Sequence, residues 1–473
     1  MKKSIIICIF LFSTFLLSAE YSVYFLDGKK VGNEDCIKKT DCVSSVRSKY
    51  SKAVVLVNES QNSDNKKLTQ TAQSDETFSL SSPDSVYWIE VEKNKILSIC
   101  VDDAFAEGTW SILDFSYRLQ NDSCAQFESG KFVRSSQIHF VSKNEKKRTI
   151  NVLVGMKKID LSKSLHEMGF YGKEYFLKER VIYADEKENF ENRIYPDPIR
   201  DSSIKETLAV DKYLVTNCEI IQNLWDSIPL YSQAEDNIPL EYHNYWIEKK
   251  KNAIKEGPCA THDSAAIRVY LYDALIYANV RSIRDGFKPI YKFKKVNKNN
   301  FMPSLYSDGS FDVYTTSFFE RYEDPDKGWL NVEVDKTADG YRLPYYNEWM
   351  ALAKAGNKNT TYIWGNSEDI TLASEYAWFG YGVAISKKYG VYEQDSRPVG
   401  MKKPNGYGLY DMMGLVCENV MLPGKSIFGN EITSCKGGFL YDTLQTLNFR
   451  VHQNNYIGGY NKYQGLRLVR LIK

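Results

Sequence analysis

Excess charge of either sign is missing from this chain. Lys plus Arg number 61 against 60 Asp plus Glu, a formal net charge of +1, so the basic footprint on which nucleic-acid binding rests is absent. No Cys-x-x-Cys pair occurs, and the five histidines (His139, His166, His243, His262 and His452) are scattered. That disfavours a structural zinc site. No apolar run beyond Leu17 is long enough to span a bilayer, and no transmembrane helix is expected in the mature chain. What is present is a globular balance, 43 % hydrophobic against 26 % charged over 473 residues, enough for a sizeable core and about two or three domains. Aromatic residues reach 14 %, with 34 Tyr and 23 Phe; such rings serve irregular cores and ligand-facing surfaces alike.

The N-terminus reads as an address. Lys2 and Lys3 precede an apolar run from Ile5 to Leu17, and Ser18-Ala19 offers small residues before the polar Glu20. The run is too short for a spanning helix and has the layout of a cleavable secretory signal covering residues 1–19. Cys8 lies inside it, away from where a lipid-attachment cysteine belongs. A secreted or periplasmic, envelope-facing protein follows. Nine cysteines then become eight, and an even number in an oxidising compartment favours disulfides over free thiols. The pairs expected are Cys36 with Cys42, Cys100 with Cys124, and Cys417 with Cys435.

The texture of the chain changes near residue 195. Residues 20–158 carry strand signals: Ala53–Val57, Val86–Val91, Leu113–Leu119 and the Ile150, Val152, Val154 alternation. They imply a small all-β, sandwich-like domain. The polar stretch from Glu59 to Thr77 reads as a solvated loop, and Asp102-Asp103 as a solvated turn more than a catalytic pair. Residues 159–198, ending in Tyr195-Pro196-Asp197-Pro198, form a connector. From 199 to 473 helices, strands and long loops mix. Thr216 and Glu219 have capping-box spacing, so a strand ending at Val215 is followed by a helix with Ile220, Ile221, Leu224 and Trp225 on its apolar face. Further helices are expected from Tyr272 to Ile283 and after Pro344, the latter with Trp349, Leu352 and Ala353 as a packing stripe.

Several blocks stand in a fixed order: Leu208–Glu219, Val269–Ser282, Gly340–Gly356, Ile363-Trp364-Gly365, Arg397–Glu418, Lys436-Gly437-Gly438 and Gly465–Arg470. In that order they resemble the formylglycine-generating enzyme domain of the sulfatase-modifying factor superfamily, over about residues 199–473. The resemblance implies an α+β domain, related to C-type lectins and poor in regular structure, here preceded by the β-sandwich. Read on their own, Arg342, Trp349 and Arg467 in these blocks are scaffold residues that pack and form ion pairs.

Two functional features come with the resemblance. The first is calcium, whose matching ligand positions are Asp411, Gly414, Val416 and Glu418; a hard cation that takes oxygens suits two carboxylates and two carbonyls. Leu415, Cys417 and Asn419 depart from the family pattern around them. The bland alternative is that Asp411 and Glu418 cap a turn. The second feature is a pair of copper(I)-binding cysteines after the paired glycines, and those positions hold Asp442 and Leu447. Neither supplies the soft thiolate that cuprous ion needs, and no His-rich iron site is visible, so neither copper nor iron is expected. The reading is therefore a non-catalytic, calcium-stabilised binding or scaffolding module. Its ligand would be a peptide or glycan at Trp364, Trp378, Tyr381 and Tyr441, or it would dock on envelope proteins through the β domain. The rival is a modifying enzyme with an unidentified metal site near Asp442, Arg450 and His452.

Overall fold

Period-two apolar residues in the first third of the chain give each strand one face for a shared core, and the architecture grows from that pairing. In the computed structural model the described residues are 21–25, 29–36, 54–58, 75–80, 85–101, 107–112, 115–162, 206–224, 263–267, 269, 271–296, 311–314, 329–357, 360–380, 397–421, 433–444, 447 and 463–472. The signal-like segment, the Cys36–Cys42 pairing, Asp102, Asp103, the connector beyond Ser162, Trp225, Tyr381, Arg450 and His452 lie outside what is described.

Strands β1 (Tyr21–Phe25), β2 (Lys30–Cys36) and β3 (Val54–Asn58) form a sheet in the order β2-β1-β3. Then come β4 (Glu76–Leu80), β5 (Val86–Val91), β6 (Ile96–Val101), β7 (Gly108–Ile112), β8 (Ser116–Leu119), β9 (Cys124–Glu128), β10 (Arg134–Ser142) and β11 (Lys147–Val154). These make two four-stranded sheets, β5-β11-β10-β7 and β4-β6-β9-β8. Ile89, Ile138, Phe140, Ile150 and Val152 of the first meet Leu97, Ile99, Ala125 and Phe127 of the second in one buried cluster. The expected disulfide Cys100–Cys124 ties β6 to β9. The polar stretch expected to reach Thr77 stops short of it, because β4 pairs in parallel with β6 from Glu76 onward.

The second half is built from β12 (Met156–Asp160), β13 (Thr207–Asp211), α1 (Asn217–Leu224), α2 (Leu271–Arg284), β14 (Tyr291–Val296), β15 (Phe311–Tyr314), β16 (Trp329–Val334), β17 (Tyr341–Arg342), α3 (Tyr346–Lys354), α4 (Ile370–Tyr376), β18 (Cys417–Met421), β19 (Thr433–Lys436), β20 (Gln464–Gly465) and β21 (Val469–Ile472). Three sheets result: β12-β13-β21-β17, β14-β16-β15 and β19-β18-β20. The capping box forms as the spacing requires, with Thr216 N donating to Glu219 Oε2 and Glu219 N to Thr216 Oγ1, both at 3.2 Å. The strand before it ends at Asp211 and not at Val215, whose N–H donates instead to the Leu466 carbonyl. Helix α3 begins at Tyr346, where Glu348 accepts from Tyr345 N at 2.7 Å and takes Arg342 in a bidentate pair at 2.6 and 2.7 Å. Trp349, Leu352 and Ala353 then pack into one apolar cluster with Leu208, Val210 and Val469.

Residue 158, read as the end of the β-rich stretch, is where that stretch meets the connector read from 159 onward. That boundary falls inside β12, which runs antiparallel to β13 from Met156↔Asp211 to Asp160↔Thr207. Gly155, at φ +62°, is the single turn between β11 and β12. Its left-handed backbone is one a side-chain-free residue adopts without strain. The edge of β12 that faces β5 is closed by Glu90, which accepts from Lys158 N at 2.7 Å and pairs with Lys157 at 2.8 Å. Leu153, Val133 and Met156 share a cluster with the buried face of α2. Polar contacts lock the junction: Arg284 Nη2 donates to Val133 O at 2.7 Å, Ser135 N to Tyr341 Oη at 2.7 Å, and Arg470 Nη2 to Ser135 Oγ at 2.9 Å.

At the centre of the second half, Arg281 of α2 grips Asp211 through two hydrogen bonds of 2.8 Å, both side chains buried. Removing one member of such a pair strands the other's charge, which costs about 3–5 kcal/mol. Asp211→Asn should lower the urea-unfolding free energy by that amount. Because the junction is shared, tryptophan fluorescence and far-UV circular dichroism should report one coincident transition. A loss below about 1 kcal/mol, or two separated transitions, would contradict this account.

Candidate functional site

Apart from Trp364, the described residues singled out by sequence as a site fall on four pieces of chain: the 410–418 loop, the β18–β19 pair, the turn after β19, and the segment around Trp378. The loop is tightly wound. Asp411, Gly414 and Leu415 all have positive φ, at 56°, 74° and 62°, a left-handed backbone that is uncommon outside glycine. Only glycine fits at 414, since a Cβ there would lie 2.2 Å from the Trp378 carbonyl oxygen. That carbonyl accepts from Leu415 N at 2.9 Å, and Gly414 N donates to Gly437 O at 2.8 Å, so the loop is threaded between two neighbouring strands of chain. Asp411 Oδ2 accepts from Gly400 N at 2.7 Å.

Glu418 starts the buried end of β18. Its carboxylate takes Arg467 Nε at 3.1 Å and Nη2 at 3.2 Å, and the same guanidinium donates to the carbonyls of Asp211, Lys212 and Tyr410. Arg467 thus binds β13, the loop and β18 at once. A carboxylate offers about four lone-pair sites, so the two guanidinium bonds leave Glu418 capacity for a further cation. Asp411 and Glu418 offer hard oxygen donors of the kind a calcium ion takes, with Gly414 and Val416 between them in the chain. Among the described residues no three His, Cys, Asp or Glu side chains stand together as a metal cluster. Asn419, buried, donates through Nδ2 to Val269 O at 3.0 Å and Gly465 O at 2.9 Å, which accounts for an amide at this otherwise apolar place.

The two positions that carry cysteines in copper-dependent relatives do come together. A Cβ placed on Gly438 would lie 2.7 Å from both Asp442 Oδ2 and Leu447 Cδ2. Asp442 Oδ2 accepts from Phe439 N at 2.9 Å and its carbonyl accepts from Gly380 N at 2.8 Å, a turn-stabilising role. Leu447 is buried. The nearby sulfurs are also spoken for: Cys417 and Cys435 form the expected disulfide across β18 and β19, and Cys218 is disulfide-bonded too.

The aromatic candidates divide. Trp378 and Tyr441 lie on neighbouring turns, linked by the Gly380–Asp442 backbone bond. Tyr441 leans on Tyr463 at 4.9 Å, and Phe439 stacks on the same ring at 5.3 Å. Lys402 Nζ sits 4.0 Å over the Trp378 ring, a cation–π contact that covers one face. Trp364 belongs elsewhere, stacked on Tyr362 at 4.7 Å with its indole N–H donated to Ser367 O at 2.9 Å. No contact joins it to Tyr441 among the described residues. Lys436, just before the paired glycines, was not among the candidates: it is buried against Tyr346 and Trp349.

Comparisons with known proteins give the following. The family model described as a sulfatase-modifying factor enzyme 1-like domain matches residues 171–472. The chain is 32 % identical over 161 residues to the chaperone protein LppX of Paenibacillus barcinonensis, a match that takes in 32 % of this chain and 49 % of that protein. It thus spans about half the length of the curated relative it matches. Solved structures similar to it include Treponema denticola variable protein 1 (19 % identity, TM-score 0.33, 56 % of this chain and 84 % of that one). Another is PvdO from Pseudomonas aeruginosa (15 % identity, TM-score 0.30, 57 % and 82 %).

Burial pushes the Lys436 amine down to about 7, far below the ordinary lysine value of about 10.4. Between those two values the unfolded chain holds a proton that the folded chain has lost, so stability rises with pH across that window and the penalty is complete below about 7. Lys436→Met should therefore raise the melting temperature at pH 6 by several degrees, and by much less at pH 10. Equal effects at both values would show that the amine is not desolvated in this way.

Proposed function

Because the chain belongs to the sulfatase-modifying factor enzyme 1-like family, we propose that it is an exported, calcium-stabilised binding or scaffolding module that has given up the family's oxidase chemistry. The observation that carries this reading is the Asp442–Leu447 pair at Gly438. A carboxylate and a buried alkyl chain stand where two soft sulfur donors are needed for copper(I), and the neighbouring cysteines are joined to each other. The residues there do not fit copper.

The calcium reading rests on the wound loop and its two carboxylates. Asp411 and Glu418 would give side-chain oxygens, with Gly414 and Val416 giving carbonyls, and the ion would act as a cross-link between the loop and β18. The relation to C-type lectins and the secretory address belong to the same reading. So does the ligand surface around Trp378 and Tyr441, whose rings offer contact area with polar edges. One relative is called a chaperone protein; a chaperone engages other polypeptides, which favours a peptide or protein ligand over a glycan.

Elemental analysis of the mature protein, joined to thermal melting, tests the proposal. Calcium should be present in stoichiometric amount, and chelator should lower the melting temperature of the wild type by several degrees while leaving Asp411→Ala unmoved. Copper or iron in stoichiometric amount, or oxygen uptake with a cysteine-containing peptide, would establish the rival enzyme reading. A melting temperature indifferent to calcium and chelator would remove the ion from the picture while leaving the binding role to be judged by peptide pull-down with Tyr441→Ala as control.

A further inference from the structure

One sheet face in the first half is partly used up by the fold and partly left open. In the sheet β5-β11-β10-β7, alternate residues such as Ile138, Phe140 and Ile150 enter the sandwich core, so their neighbours point out of the opposite face. At one end that face is covered, because Leu153 packs into the cluster of α2 and Ser135 bonds to Tyr341 and Arg470. Toward the other end it is open. Cross-strand register sets Ser111, His139 and Thr149 in one row and Gln137 beside Asn151 in the next. Ser111 and Gln137 are exposed, while His139 and Thr149 are half-buried. Both rows end on β5, at the exposed Val86 and the half-buried Trp88.

These polar groups hold one another in place. Gln137 Nε2 donates to Asn151 Oδ1 at 2.9 Å, and His139 Nδ1 lies 3.2 Å from Thr149 Oγ1. The Gln137 carbonyl and His139 Nε2 are thereby left for a ligand, and side chains ordered beforehand lose less freedom on binding. Charge is nearly absent. Burial, and after it the Lys147 charge, lowers the imidazole below its ordinary value and keeps it neutral at pH 7. Lys147 itself stands one row further out, opposite Val141. Three gaps between strands and two steps between rows make the open area about 14 Å on a side. A stable protein partner covers about 800 Å², several times more.

We propose that this open face binds an uncharged oligosaccharide through Ser111, Gln137, His139 and Thr149. Sugar hydroxyls both donate and accept, as the hydroxyl, amide and imidazole groups here do, and the C–H faces of the rings suit Val86 and Trp88. A cation would find no carboxylate in these rows, and an anion only the marginal Lys147, too little to offset the loss of its water. The site lies apart from the surface at Trp378 and Tyr441 and does not depend on it.

Calorimetric titration of the whole mature protein with cellotetraose, maltotetraose, mannotetraose and N-acetylchitotetraose tests this. At least one should bind with a Kd below about 1 mM. Gln137→Ala and Ser111→Trp, both at exposed positions, should each weaken that binding tenfold or more without moving the melting temperature. Binding by none of the four would overturn the proposal. So would binding that Tyr441→Ala abolishes and Gln137→Ala leaves intact, which would put the sugar on the other surface. A dimer in sedimentation that Ser111→Trp takes apart would overturn it too, by giving the face to a second copy of the chain.

Discussion

The pairing of Asp211 with Arg281 is the constraint around which the second half of the molecule is arranged. Asp211 ends β13, Arg281 sits in the last turn of α2, and both are out of water. Burial pushes the carboxyl up while the guanidinium draws it back down, so the pair holds only as a pair. The carboxylate also accepts from Leu468 N at 3.1 Å, and the backbone carbonyl of the same residue takes Arg467 at 2.7 Å. One aspartate therefore fixes the helix and the approach of the last strand. Through Arg467 it also sets the position of Glu418, where the candidate cation site begins.

That arrangement also fixes the course of the 410–418 loop. Leu415, Cys417 and Asn419 lie on or beside it. Its path is set by backbone bonds to Trp378 and Gly437 and by the grip of Arg467 on Tyr410. At Gly438 a carboxylate and a leucine side chain stand close against the turn.

How far the sequence could be read depended on the distance over which each signal acts. Thr216 and Glu219 announce a capping box because the interaction is confined to three residues, and the hydrogen bonds follow. The other oxygen of Glu219 approaches Lys93 at 3.8 Å, and nothing local could have foretold it. The Ile150, Val152, Val154 alternation identifies β11 and its inward face. Leu153 between them packs instead on the far side, against α2, a role that needs knowledge of what covers the sheet. For the same reason the end read for the β-rich stretch, residue 158, lies inside β12. In the site, residue identity told that no thiolate stands at Asp442 or Leu447. It did not tell that Trp364 would be used up in a stack with Tyr362, or that Lys436 would be enclosed beside Trp349, since both follow from packing between distant segments.

The glycine between β11 and β12 carries an evolutionary implication. Because the chain leaves one sheet and enters the next across that one residue, with each sheet fixing the register of its own strand, the halves cannot be exchanged as cassettes. Inserting one residue there would turn Ile159 toward solvent and carry Lys158 inward. Recombination that swapped the front half for another module would have to bring along a strand already in phase with β13. Descent of such proteins should then preserve the two halves as a matched set, with variation accumulating in the long connections on either side of the junction.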